Sequence, residues 1–213
     1  MVSTGPLSVR LDDDGMRRGV RALRRLDPSL GPWIDRIGPI RLPRATSHFR
    51  SLFRAILSQQ LSNRAAKTIC GRALALFESP ARPHPEELLA IPDPALRAAG
   101  VSAQKVGYVR DLARSFVEGD VDPRRLSRMD DEGVIDALVG VKGVGRWTAE
   151  MFLIFSLRRP DVFSPRDLAL VAGTRRLAGD AAASPARCGE LAARWAPWRS
   201  VASLYLWRIA HWR

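Results

Sequence analysis

Apolar residues recur at intervals of three and four along most of this chain, the spacing of helices that bury one face. Phe49, Leu52, Phe53, Ile56 and Leu57 fall on one such face within a segment that starts at His48. Polar Ser58-Gln59-Gln60 and then Ser62-Asn63 interrupt the pattern, and Ser62 is placed to cap a second helix running to Phe77. Asp93-Pro94 sets a cap and a first-turn proline ahead of a short helix that stops at Gly100. Ser102 opens another towards Gly119, with Val106, Val109, Leu112, Ala113 and Phe116 inward. Asp122-Pro123 and Ser184-Pro185 repeat the cap-then-proline signature. No run alternates as a half-buried strand does, so the pattern predicts an all-α fold.

From Asp130 the pattern changes. A helix with Val134, Ile135, Leu138 and Val139 inward ends at Gly140. Val141-Lys142-Gly143-Val144-Gly145 makes a tight turn, and a second helix starts at Arg146. Met151 to Phe155 are apolar without a break, and a helix apolar all round is expected to be buried on all sides. The glycines permit backbone conformations and close approaches that a side chain forbids. Free N–H groups where the second helix begins can hold a phosphate oxygen, which positions a nucleic acid without reading its sequence. A plain turn between two helices explains the same residues equally well.

Charge favours the first reading. The formal net charge is +12 and the pI about 11.2, as suits a protein whose partner is an anionic polymer. The excess is almost all arginine, the lysines being Lys67, Lys105 and Lys142. The arginines are scattered, which argues against a membrane-surface role, and no stretch has the apolar length to span a bilayer. Met1 to Val20 lacks the apolar core of a signal peptide. Cys70 and Cys188 are too few and too isolated for a disulfide framework or a zinc site, and His48, His84 and His211 are too far apart to suggest a metal. A cytosolic protein is expected.

Leu138 to Ala149, LVGVKGVGRWTA, resembles the helix-hairpin-helix element of a DNA glycosylase superfamily that includes endonuclease III, 8-oxoguanine glycosylase and the AlkA-type 3-methyladenine glycosylases. FRAILSQQLSNRAAKTI from Phe53, AGVSAQKVGYVRDLA from Ala99 and WAPWRSVASLYLW from Trp195 are similar to the AlkA-type branch (3-methyladenine DNA glycosylase II) in particular. The likeness runs from about Asp27 to Trp207, with its motifs in order. It implies two helical subdomains with an active cleft between them. One is a six-helix unit over 47–163 that holds the hairpin (about 140–146); the other combines 1–46 with 164–213. It also implies a catalytic aspartate at the start of a helix some twenty residues past the hairpin, where Asp167 stands. The branch commonly has two adjacent aspartates there; this chain has Arg166-Asp167. Locally, Asp167 is also an ordinary helix cap.

The chemistry fits that position. Breaking a nucleoside C1′–N bond builds positive charge on the sugar, and a carboxylate about 3.5 Å away stabilises it by roughly 4–5 kcal/mol at an effective dielectric near 20. The same carboxylate is able to orient or deprotonate the attacking water. Relatives resembling endonuclease III, which also nick the backbone, carry a Schiff-base lysine two residues past the second hairpin glycine. Trp147 fills that slot, and neither an indole nor the Arg146 guanidinium supplies a neutral amine. A monofunctional enzyme without lyase activity is therefore expected. Two cysteines are too few for a four-cysteine iron–sulfur cluster. No cofactor is expected beyond a monovalent cation on the hairpin's backbone carbonyls.

Trp147, Trp207 and Met151 are the candidate base pocket. An indole face attracts a cationic methylated purine by roughly 0.5–2 kcal/mol. Met151 stands where the AlkA type has a tyrosine, which leaves the lesion range open. Trp195, Trp198 and Trp212 read as packing. Gln60 and Leu61 are candidates to plug the stack after base flipping, although Leu61 packing under its loop explains it as well. Lys142, Gly143, Val144, Gly145, Arg146 and Arg64 are the candidate DNA-backbone contacts. The expected function is excision of alkylated purines (3-methyladenine or 7-methylguanine type) from damaged double-stranded DNA in base-excision repair. A monomer is expected, acting on the bacterial nucleoid in the cytoplasm or in a eukaryotic nucleus. Two rivals remain: a same-fold enzyme for hypoxanthine, ethenoadenine or an oxidised base, and a non-catalytic DNA-binding helix-hairpin-helix protein.

Overall fold

The computed structural model describes residues 10–43 and 46–212; residues 1–9 of the Met1–Val20 segment, residues 44 and 45, and residue 213 lie outside it. The described residues are helical throughout, with no strand. The chain divides into two compact units, 44–152 and a discontinuous one made of 1–43 with 153–213.

The discontinuous unit begins with α1 (Asp13–Leu26) and α2 (Leu30–Ile37). Asp12 caps α1 by accepting the Gly15 amide, and two aspartates in its first turn favour the positive end of the helix dipole. The continuous unit carries α3 (His48–Ser58), α4 (Asn63–Leu74), α5 (Pro85–Ala90), α6 (Asp93–Ala98), α7 (Ala103–Val117), α8 (Pro123–Leu126), α9 (Asp131–Val139) and α10 (Arg146–Phe152). Eight helices thus stand where six were expected, because the proline-led segments close single short helices of their own. Ser62, Ser102, Asp122 and Asp130 cap as their sequences predict. The second helix ends at Leu74 rather than Phe77, and Pro92, not Asp93, precedes the short helix α6. Asp93 instead pairs with Arg110, whose guanidinium also donates to the carbonyls of Leu88 and Ile91 and so ties α5 and α6 to α7. Phe49, Phe53, Phe77 and Phe116 form this unit's aromatic core.

The chain re-enters the discontinuous unit through a π-helical turn, Leu153–Leu157, continues to α11 (Leu168–Ala178) and α12 (Pro185–Ala192), makes one 3₁₀ turn over Ala193–Trp195, and ends in α13 (Arg199–Ala210). The division falls at Phe152–Leu153 rather than at Phe163–Ser164. The intervening residues are fixed by this unit: Leu11 donates to the Arg158 carbonyl, the Val162 amide donates to Ser200 Oγ at 2.9 Å, and Phe163 packs on Trp195. Trp195 is fully buried, as expected of a packing residue, and its indole N–H donates to Asp27 at 2.8 Å. Burial alone would raise the Asp27 carboxyl, but hydrogen bonds from Ser29 and Trp195 and the nearby Arg194 hold it below the usual carboxylate value. Trp198 is buried in the same core, while Trp212 is half-exposed with its ring edge-on to Trp33.

Helices α11 and α13 cross in close backbone contact. A Cβ on Gly173 would lie 2.8 Å from the carbonyl carbon of Leu206, so only glycine lets the two backbones meet there. That approach sets Asp167 on one helix against Trp207 on the other.

Candidate active site

Asp167 precedes α11 and caps it. Its Oδ1 accepts the Leu170 amide at 2.8 Å and the Trp207 indole N–H at 3.1 Å. The cap reading of this residue is realised, and the same oxygen is bound to a candidate pocket tryptophan. The carboxylate is 8% exposed, and two N–H donors at fixed positions leave it little orientational freedom. Arg166 is exposed.

The Trp207 ring is stacked on Phe155, with centroids 5.6 Å apart and an interplanar angle of 24°. Phe155 corrects the expectation that the Met151–Phe155 run is buried on all sides: Phe152, Leu153 and Ile154 are buried, but Phe155 is 36% exposed. The cause lies in the backbone. The helix widens to a π turn at Leu153–Leu157, which turns residue 155 out of the buried face. Nothing in the sequence marks this except that the outward residue is aromatic.

In the continuous unit the hairpin is built as its glycines require. Gly143 has φ +83°, and a Cβ there would lie 2.6 Å from Cγ of Tyr108. Val141 and Val144 are buried and anchor the turn, and the Val144 amide donates to the Val141 carbonyl at 3.0 Å. The Lys142 amide donates to Asp111 Oδ2 at 2.8 Å, so this N–H is engaged within the protein. The amides of Gly143 and Gly145 have no acceptor among the described residues. Lys142, Gly145, Arg146 and Arg64 are exposed. Arg146, however, is held by Glu132 through two bonds of 2.5 and 2.9 Å and by buried Glu150 at 3.1 Å; Glu132 chiefly keeps its pKa above arginine's ordinary value. On α10, Trp147 is 46% exposed and Met151 half-buried.

Gln60 and Leu61 are exposed in the break between α3 and α4, and Gln60 adopts φ +57°, a strained value for a residue with a side chain. Three residues that sequence reasoning missed surround this loop and the hairpin. The Gln59 side chain donates to the Gly143 carbonyl at 2.8 Å. Lys105 donates to the carbonyls of Leu57 and Gln59 at 2.8 and 2.6 Å, and partial burial pushes its ammonium below the ordinary lysine value. Tyr108 lies against Gly143. These residues, with Gln60, Gln104, Val144 and Gly145, line a recess of about 360 Å³ that joins the loop to the hairpin. The sequence signal available was that Lys105 is one of only three lysines.

The profile of the HhH-GPD superfamily of base excision DNA repair proteins matches residues 53–197, which take in the loop, the hairpin and Asp167. The chain belongs to this superfamily. Among its relatives, the DNA-3-methyladenine glycosylase 1 of Schizosaccharomyces pombe is 34% identical over 165 residues, covering 76% of this chain and 72% of that protein. A DNA-3-methyladenine glycosidase from Bacillus halodurans has a crystal structure that superposes with a TM-score of 0.83 at 37% identity, over 91% of this chain and 89% of that one. The S. pombe 3-methyladenine DNA glycosylase in complex with abasic DNA superposes with a TM-score of 0.80 at 31% identity, over 90% and 95% of the two chains.

Proposed function

We propose that this HhH-GPD protein is a monofunctional DNA glycosylase that flips alkylated purines of the 3-methyladenine and 7-methylguanine type out of duplex DNA and hydrolyses their glycosidic bonds. The observation that carries the reading is the bond between Trp207 and Asp167: an aromatic ring and a restrained carboxylate on two tightly crossed helices. The relatives' names, and the abasic DNA bound to one of them, support it. Trp207 supplies a ring face for a cationic base. Asp167 stabilises the charge that develops on the sugar and orients the attacking water. The hairpin amides at Gly143 and Gly145, with Lys142, take the DNA backbone, and Arg64 adds charge beside the exposed Gln60–Leu61 wedge. Trp147 in the lysine slot supports hydrolysis without backbone nicking. The carbonyls of Val141 and Gly143 each accept one hydrogen bond and keep one lone pair, a donor set suited to a monovalent cation.

Asp167→Asn is the decisive variant, because asparagine caps a helix as well as aspartate does and the fold is retained. Wild-type protein incubated with methylated DNA is expected to release 3-methyladenine or 7-methylguanine, identified by chromatography. The variant is expected to bind the same DNA and release at least a hundredfold less. Equal release from both proteins would overturn the mechanism.

A further inference from the structure

We infer that Leu168 contacts substrate, its side chain packing on the deoxyribose of the lesion nucleotide beside Asp167; the inference rests on the glycosylase reading above. Leu168 is the first residue of α11 and is 85% exposed, whereas its neighbour Asp167 is 8% exposed. Their Cα atoms are separated by a single peptide, about 3.8 Å. A nucleotide whose C1′ reaches the Asp167 carboxylate is thus brought beside the residue that carries a leucine side chain left almost wholly to solvent.

The surroundings point to the same occupant. In the discontinuous unit the large apolar side chains left exposed among the described residues are Leu26, Phe155, Leu168 and Trp212. Two of these four adjoin the Asp167–Trp207 pair, Phe155 through its stacked ring and Leu168 through the chain. A deoxyribose offers apolar C–H faces that suit a leucine. Covering the sugar also removes water from around the carboxylate and the developing charge, which strengthens their attraction in the transition state. Leucine adds no polar group that competes with the attacking water.

The exposure makes the test clean, since a side chain without packing partners contributes nothing measurable to stability. Leu168→Ser and Leu168→Met would be compared with wild type in single-turnover release of methylated bases from duplex DNA. Melting temperature and affinity for undamaged duplex would be measured alongside. Expected are a loss of roughly tenfold or more in release for Leu168→Ser, near-wild-type release for Leu168→Met, and unchanged Tm and undamaged-DNA affinity in both. Wild-type release from Leu168→Ser overturns the inference while leaving the glycosylase reading intact. So does equal loss in the serine and methionine variants, or a fall in Tm with serine, since either assigns the side chain to shape or packing rather than to apolar cover. No release by the wild-type protein defeats the glycosylase reading, and this inference with it.

Discussion

Asp167 Oδ1 accepts two N–H groups from different helices, and each bond does a different job. The Leu170 amide ends α11 properly; the indole of Trp207 ties the carboxylate to an aromatic ring that is itself stacked on Phe155. Trp207→Phe separates these roles, because a phenyl ring retains stacking on Phe155 and loses the donor. A hydrogen bond to a charged group contributes about 1.5–3 kcal/mol, so base release is expected to fall at least tenfold while affinity for lesion-containing duplex changes little. Single-turnover kinetics beside a binding titration checks this. Release at the wild-type rate would mean that the indole N–H does not position the carboxylate. The resemblance to the glycosylase superfamily singled out Asp167 and Trp207 as candidates. Their bond was not legible, because no sequence pattern states which residues of two crossing helices meet.

At the scale of elements, the hairpin was legible and its supports were not. Two glycines flanking Val144, between two helices, announce a tight turn. Packing and backbone conformation demand glycine at only one of the two positions, and only the structure separates them. Gly143 combines φ +83° with the Tyr108 ring where a Cβ would stand, whereas the space around a Cβ on Gly145 is open. Gly143→Ala is therefore expected to destabilise the protein by about 2–3 kcal/mol, from strain and overpacking together, and to weaken binding to damaged and undamaged duplex alike. Gly145→Ala is expected to keep the wild-type Tm. Thermal melts of the two variants decide it, and equal losses in both would show that the turn tolerates no side chain anywhere. The Gln59 and Lys105 bonds to this region escaped sequence reading because long polar side chains satisfying backbone carbonyls look like any solvated face. The π turn at Leu153–Leu157 escaped for a related reason: an unbroken apolar run has no periodicity from which a change of helical pitch can be read.

Over the whole molecule, the 34 lysines and arginines are not equally available cations, because the arginines differ in what they already hold. Arg24 pairs with Asp35, Arg110 with Asp93, Arg199 with Asp161 and Arg146 with both Glu132 and Glu150. Lys142 is exposed at the hairpin, and no carboxylate among the described residues pairs with its ammonium. Counterion release distinguishes the two kinds of charge, since only a cation that neutralises a phosphate contributes to the salt dependence of binding. The logarithm of the duplex affinity is expected to fall linearly with the logarithm of salt concentration. Lys142→Ala should reduce that slope by about one. Arg146→Ala should leave the slope unchanged and instead cost about 2–3 kcal/mol of stability, because Glu150 stays buried without its cation. Titrations at several salt concentrations, with a melt of each variant, test both halves. A slope that falls with Arg146→Ala would mean that Arg146 leaves its carboxylates for the DNA backbone. Glu132→Gln would then raise affinity for duplex by freeing the guanidinium, whereas with the ion pairs intact on DNA it changes affinity only through the loss of one negative charge near the hairpin.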